Sequence, residues 1–174
     1  TLWNLEKRTQ GHLDSPLTDL GISQAKTSAQ KLNNFISNTI ISSPLGRAYE
    51  TARIIATEKG ISEILIFDFF AERHLGVLQG LQKSESMQKY PQLWSTEGKF
   101  MQDAVVPEGE TIDSFLERVK KGVEEIKKMS QEKPIIVVTH DGVLHAVLSL
   151  VQKIPFSQVH QHYTFVHGEP IFLE

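Results

Sequence analysis

Ile135-Ile136-Val137-Val138-Thr139-His140-Asp141-Gly142 decides the reading of the fold. Four consecutive β-branched residues without polar alternation mark a strand buried on both faces, and the glycine-containing polar corner after them marks a turn into a helix. Two further runs share this form. Ile40-Ile41 ends a short strand ahead of Ser42-Ser43-Pro44-Leu45-Gly46-Arg47, and Ile64-Leu65-Ile66-Phe67 precedes Asp68 to His74. Helical patterns separate the runs. Thr18 caps a segment to about Phe35 whose stripe is Leu20, Ala25, Ala29 and Leu32. Ser43-Pro44 reads as N-cap and first residue of a helix that Gly60 stops. Thr111 opens the longest helix, with Ile112, Phe115, Leu116, Val119, Val123 and Ile126 on one face and lysines, glutamates and Arg118 on the other. Gly142 to Val151 reads as a short buried helix, 163–166 and 171–173 as a hairpin, and 80–110 as a helical insertion and loop over one end of the sheet. Alternating strands and helices predict an α/β fold, a three-layer αβα sandwich with a mostly parallel sheet covered on both faces, in one domain over 1–174.

Composition narrows the partners. The chain is 40% hydrophobic and 22% charged, with a net charge of -3 and no cysteine. Disulfides and thiolate metal sites are therefore excluded, and a reducing, cytoplasmic setting is expected. No basic stripe tracks a nucleic-acid backbone and no apolar run reaches the roughly 18–20 residues of a membrane span, so neither nucleic acid nor membrane is expected as a partner. The sequence opens at Thr1 without an initiator Met or a signal-like stretch.

In open α/β sheets ligands bind beyond the carboxyl ends of the strands. Arg47 stands there in the first turn of a helix, where the macrodipole disfavours a cation unless an anion is also present. Free N–H groups and a guanidinium together make a phosphate or carboxylate cradle; the alternative is a surface pair with Glu50. His140 is either a site histidine or a satisfied, half-buried one. Glu72 becomes a proton donor if it faces an anion in a desolvated pocket, and otherwise pairs with Arg73 or His74. Phosphate-loop, dinucleotide, serine-hydrolase and zincin motifs are absent. His160-x-His162, with no carboxylate at ligand spacing, reads as a solvated edge strand, and no metal is expected.

Read in order, Trp3-Asn4, Arg8-x-Gln10-Gly11-x-x-Asp14-x-Pro16-Leu17-Thr18-x-x-Gly21-x-x-Gln24-Ala25, Ser42-Ser43-Pro44-Leu45-x-Arg47-Ala48-x-x-Thr51-Ala52, Glu72-Arg73-x-x-Gly76-x-x-Gln79-Gly80, Pro107-x-Gly109-Glu110 and His140-x-Gly142-Val143-Leu144 resemble the histidine phosphatase, or phosphoglycerate-mutase-like, superfamily. The resemblance implies a phosphate pocket at the strand ends. It casts Arg8 and Arg47 as phosphate-clamping arginines, Glu72 as general acid and His140 as the histidine that stabilises the transferring phosphoryl group. Asn4, Gln10, Gly11 and Arg73 fall among the substrate contacts.

The family's nucleophilic histidine lies in an Arg-His-Gly block immediately before the segment that here begins Thr1-Leu2-Trp3-Asn4. The resemblance therefore leads us to expect that block, and a first strand, upstream of Thr1. Asp141 and His145 stand where glycine and arginine are frequent, and Asp141 adds an anion beside the pocket. The short interval from Glu72 to His140 is similar to that of the family's phosphatases, whereas Glu72 to Leu81 resembles the mutases. The expectation is a phosphomonoester hydrolase that forms a phosphohistidine and acts on a small phosphorylated metabolite without a cofactor. The alternatives are a phosphoglycerate mutase dependent on 2,3-bisphosphoglycerate, and a catalytically inactive phosphoester-binding domain.

Overall fold

The computed structural model describes residues 1–130 and 134–173. Strands β1 (Thr39–Ser42), β2 (Glu63–Ile66) and β3 (Ile136–Val138) form a parallel sheet in the order β2-β1-β3, with Ile41 opposite both Leu65 and Val137. The helices are α1 (Leu2–Leu5), α2 (Asp19–Lys31), α3 (Gly46–Lys59), α4 (Lys83–Lys89), α5 (Ile112–Met129), α6 (Asp141–Gln152) and α7 (Phe156–His162).

The central strand organises both layers. Ile40 and Ile41 are each fully buried, and adjacent strand residues face opposite ways, so each belongs to a different core. Ile40 packs with Ala29 and Leu32 at α2 and with Ala52, Ile55 and Ala56 of α3. Ile41 packs with Phe115 and Val119 of α5, Val143 and Ala146 of α6, and Val159 of α7. The expected three-layer α/β arrangement follows. Leu93 and Val106 of the 80–110 segment form a small separate core with Leu78.

Local chemistry sets the helix ends. Thr18 Oγ1 accepts from the Gly21 N–H at 3.1 Å and Thr111 Oγ1 from the Ser114 N–H at 3.2 Å, each an N-cap. Lys127 and Lys128 close α5 in its last turn, where the dipole favours cations. Gly60 ends α3 at φ 66°. The α3 start departs from expectation: Ser43-Pro44 precede the helix, and the Asp14 carboxylate accepts from the Gly46 and Arg47 N–H groups instead. That cap comes from a distant loop, which local sequence cannot show.

Three other expectations are corrected. Leu20, placed on the α2 stripe, is exposed; it lies in the first turn, ahead of the residues that meet α3. No strand occurs after β3 among the described residues, so the 163–166 and 171–173 hairpin is replaced by irregular chain against α2 and α6. An isolated two-stranded hairpin is marginal without a sheet to join, and Val166, Phe172 and Leu173 stay exposed. His160 and His162 lie on helix α7, because Phe156 and Val159 bury at helical spacing. No helix among the described residues is long and apolar enough to cross a membrane.

Phe115→Ala should cost about 3–5 kcal/mol in urea unfolding, and Leu20→Ala less than about 0.5 kcal/mol; equal losses would contradict the assignment of the core.

Candidate active site

Beyond the strand ends, the loop after β2 brings Glu72 against the N-terminal turn of α6. Its Oε1 accepts from the Arg73 N–H at 2.8 Å and its Oε2 from the Gly142 N–H at 3.3 Å, in the first turn of α6. Gly142 has to be glycine for this approach, since a Cβ there would lie 2.4 Å from Oε1. Burial raises the Glu72 pKa; the two N–H donors and the Arg47 charge pull it back, and Asp141 adds to the rise. The net displacement is upward, towards a carboxyl that holds its proton.

A single guanidinium holds the Glu72 loop. Arg118 grips Glu110 through Nε and Nη2 at 2.9 and 2.8 Å, and its Nη1 donates to the carbonyls of Asp68, Phe69 and Ala71. The α5 pattern assigned Arg118 to the solvent face. It sits instead at the edge of the buried stripe, one residue before Val119, where a long side chain reaches back over the preceding turn.

His140 is the N-cap residue of α6, and its Nε2 lies 2.7 Å from Ser43 Oγ, linking the ends of β3 and β1. Burial, then the charges of Arg47, His12 and Arg118, hold its pKa well below the ordinary 6.5. It is a neutral imidazole at physiological pH. Arg47 does not pair with Glu50, which binds Arg53 at 2.9 Å. Its Nη1 donates to the Leu13 carbonyl and to Asp14, and its Nη2 to the Gly11 carbonyl at 2.8 Å. A guanidinium has five N–H donors; the Nε–H and one Nη2 hydrogen have no partner among the described residues. Asp14, at the α3 start, takes the place the sequence reading gave to a bound anion.

The structure thus gathers Arg47, Glu72 and His140, and with them His12, whose Nε2 lies 2.6 Å from the Glu72 carbonyl. Gly11 belongs to the same loop. Asn4 and Gln10 bond each other at 2.7 Å. Arg8 and Arg73 do not join the group. Arg8 binds Glu6 and the Gly80 carbonyl, and its charge acts on Glu85. Arg73, 4% exposed, donates to the carbonyls of Glu110, Gln102 and Ala104 and so fastens the 102–110 loop. The sequence reading missed Ser43 as the His140 partner and Arg118 as the loop clamp, and no spacing rule signals either contact.

Comparisons with known proteins identify the chain's relatives. The family model "Histidine phosphatase superfamily (branch 1)" matches residues 1–167. Phosphoglycerate mutase-like protein 4 of Arabidopsis thaliana is 37% identical over 150 residues, covering 84% of this chain and 65% of that protein. The metal-independent phosphoserine phosphatase of the same plant is 36% identical, covering 84% of this chain and 63% of that protein. The chain thus spans a little under two thirds of the length of these two relatives. A mycobacterial glucosyl-3-phosphoglycerate phosphatase complexed with VO3 superposes with a TM-score of 0.77 at 26% identity, over 90% of this chain and 79% of that one.

Because Glu72 titrates above its ordinary 4.5 in the folded chain, its contribution to stability is complete below 4.5 and is lost as pH rises through the raised value. Glu72→Gln removes that loss. The unfolding free energy of the variant minus that of the parent should therefore grow as pH increases above 4.5, and a pH-independent difference in urea titrations would contradict the upward shift.

Proposed function

Since this chain belongs to the histidine phosphatase superfamily, we propose that its site hydrolyses phosphomonoesters of small metabolites through a phosphohistidine. The observation that carries the reading is the meeting at the strand ends of Glu72, held by the Arg73 and Gly142 N–H groups and pushed upward in pKa by burial, with the Arg47 cation and the Ser43-bonded His140. The nucleophile is the histidine that the resemblance assigns to the block before Thr1.

In the first step the histidine nitrogen attacks phosphorus, the P–O ester bond breaks, and the Glu72 proton passes to the leaving alkoxide. In the second, water attacks the phosphohistidine and gives its proton to the Glu72 carboxylate, releasing phosphate. The transferring group carries charge on its equatorial oxygens. Arg47 meets that charge with the N–H groups left free by Gly11, Leu13 and Asp14, and His140 meets it as a positioned imidazole. Gly11 shapes the loop under Arg47, while Asn4 and Gln10 form a polar pair at its margin.

Hydrolysis is favoured over mutase chemistry by the short Glu72–His140 interval, since a smaller cover shields the phosphohistidine less from water. The Glu72 to Leu81 stretch and the mutase-like relative support the second reading, interconversion of phosphoglycerates.

In the full-length protein acting on p-nitrophenyl phosphate, Glu72→Gln should lower kcat/KM by about 10²–10⁴-fold and Arg47→Ala by about 10²–10³-fold. Activity insensitive to both changes overturns the proposal. Phosphoglycerate interconversion faster than phosphate release, and dependent on 2,3-bisphosphoglycerate, moves it to the mutase; phosphate binding without turnover moves it to a binding domain.

A further inference from the structure

Asp141 and His145 stand four residues apart on one face of α6, and the ring of His160 comes up to them from α7. One ligand atom from each lies within 4.8 Å of the other two. His145 is 3% exposed, its Nδ1 lies 3.3 Å from Asp141 Oδ2, and its Nε2 lies 3.1 Å from the Tyr163 carbonyl. His160 Nε2 is buried without a hydrogen-bond partner, an arrangement that costs free energy unless something occupies it. None of these groups acts in the phosphoryl transfer proposed above.

We propose that Asp141, His145 and His160 bind one divalent transition-metal ion, zinc by the character of the ligands, which pins α7 to α6. Two imidazoles and a carboxylate are a set that zinc accepts in tetrahedral geometry with a water in the fourth position. Bonds of about 2.0–2.1 Å place tetrahedral ligands about 3.3–3.4 Å apart, and the His145 Nδ1 to Asp141 Oδ2 distance already has that value. The Nδ1 also contacts the Asp141 carbonyl at 2.8 Å, a bond the ion would replace. The Nε2–H donating to the Tyr163 carbonyl is the outer hydrogen bond that fixes a metal-binding imidazole. His160 stacks on His145 with ring centroids 3.8 Å apart, and rotation of its ring out of the stack closes the third position. Asp141 is exposed at its outer side, leaving a path for the ion and its water.

The ion is structural in this account. It braces the N-terminal turn of α6, whose Gly142 N–H holds Glu72, without touching a reacting atom.

Chelator-treated full-length protein should take up one zinc per chain in calorimetry, with a rise in Tm. Cobalt in its place should give the intense visible bands of tetrahedral coordination. His160→Gln and Asp141→Asn should each weaken zinc binding at least about tenfold, while His162→Ala, on the exposed side of α7, leaves it unchanged. Absence of stoichiometric uptake, a weak octahedral cobalt spectrum in the unaltered protein, or unchanged affinity in folded His160→Gln would each overturn the site. Because the readouts are uptake and spectra, they stand or fall independently of phosphatase activity.

Discussion

A carboxyl taken out of water and handed only two backbone N–H groups is the constraint around which the site is arranged. Burial favours the protonated form of Glu72 while the N–H donors and Arg47 favour the charged one, and a group balanced in this way can both give and take a proton. Holding it demands support on every side. Arg118 and Glu110 fix the loop from below, Arg73 fastens the neighbouring 102–110 segment, and Gly142 brings α6 within contact. These bonds tie the Glu72 loop to the 102–110 segment, α5 and α6.

The parallel sheet makes that meeting possible. Because β1, β2 and β3 run the same way, their carboxyl ends deliver Ser43, the Glu72 loop and His140 to one edge. The 2.7 Å contact between Ser43 and His140 joins two of those ends directly. Arg47 has two tasks: its bonds to Gly11, Leu13 and Asp14 hold the 11–14 loop over the α3 start, and its remaining N–H groups keep positive charge near Glu72 and His140. The Asp14 carboxylate offsets the unfavourable meeting of that cation with the helix dipole.

Much of this was legible in the chain. The β-branched runs at 40–41, 64–67 and 135–138, the Thr18 and Thr111 caps and the periodic 112–126 face are local signals, and local signals survive folding. Arg47, Glu72 and His140 could be picked out because each follows an apolar run. What escaped depends on long-range contact. The Asp14 cap, the Arg118 clamp and the Ser43–His140 bond join residues that no periodicity relates. The resemblance cast Arg8 and Arg73 as site residues, but Arg8 donates to Glu6 and the Gly80 carbonyl, and Arg73 to the carbonyls of Glu110, Gln102 and Ala104. The C-terminal apolar runs alternate like strands, yet alternation makes a strand only where a sheet edge is at hand.

The central claim is that Glu72 keeps its proton at a pH where an ordinary glutamate has lost it. Its side-chain carboxyl carbon, labelled with ¹³C and followed by NMR titration in the folded protein, reports this directly. A midpoint displaced upward from 4.5, and shifted further up in Arg47→Ala, is the predicted result; a midpoint at or below 4.5 would contradict the account.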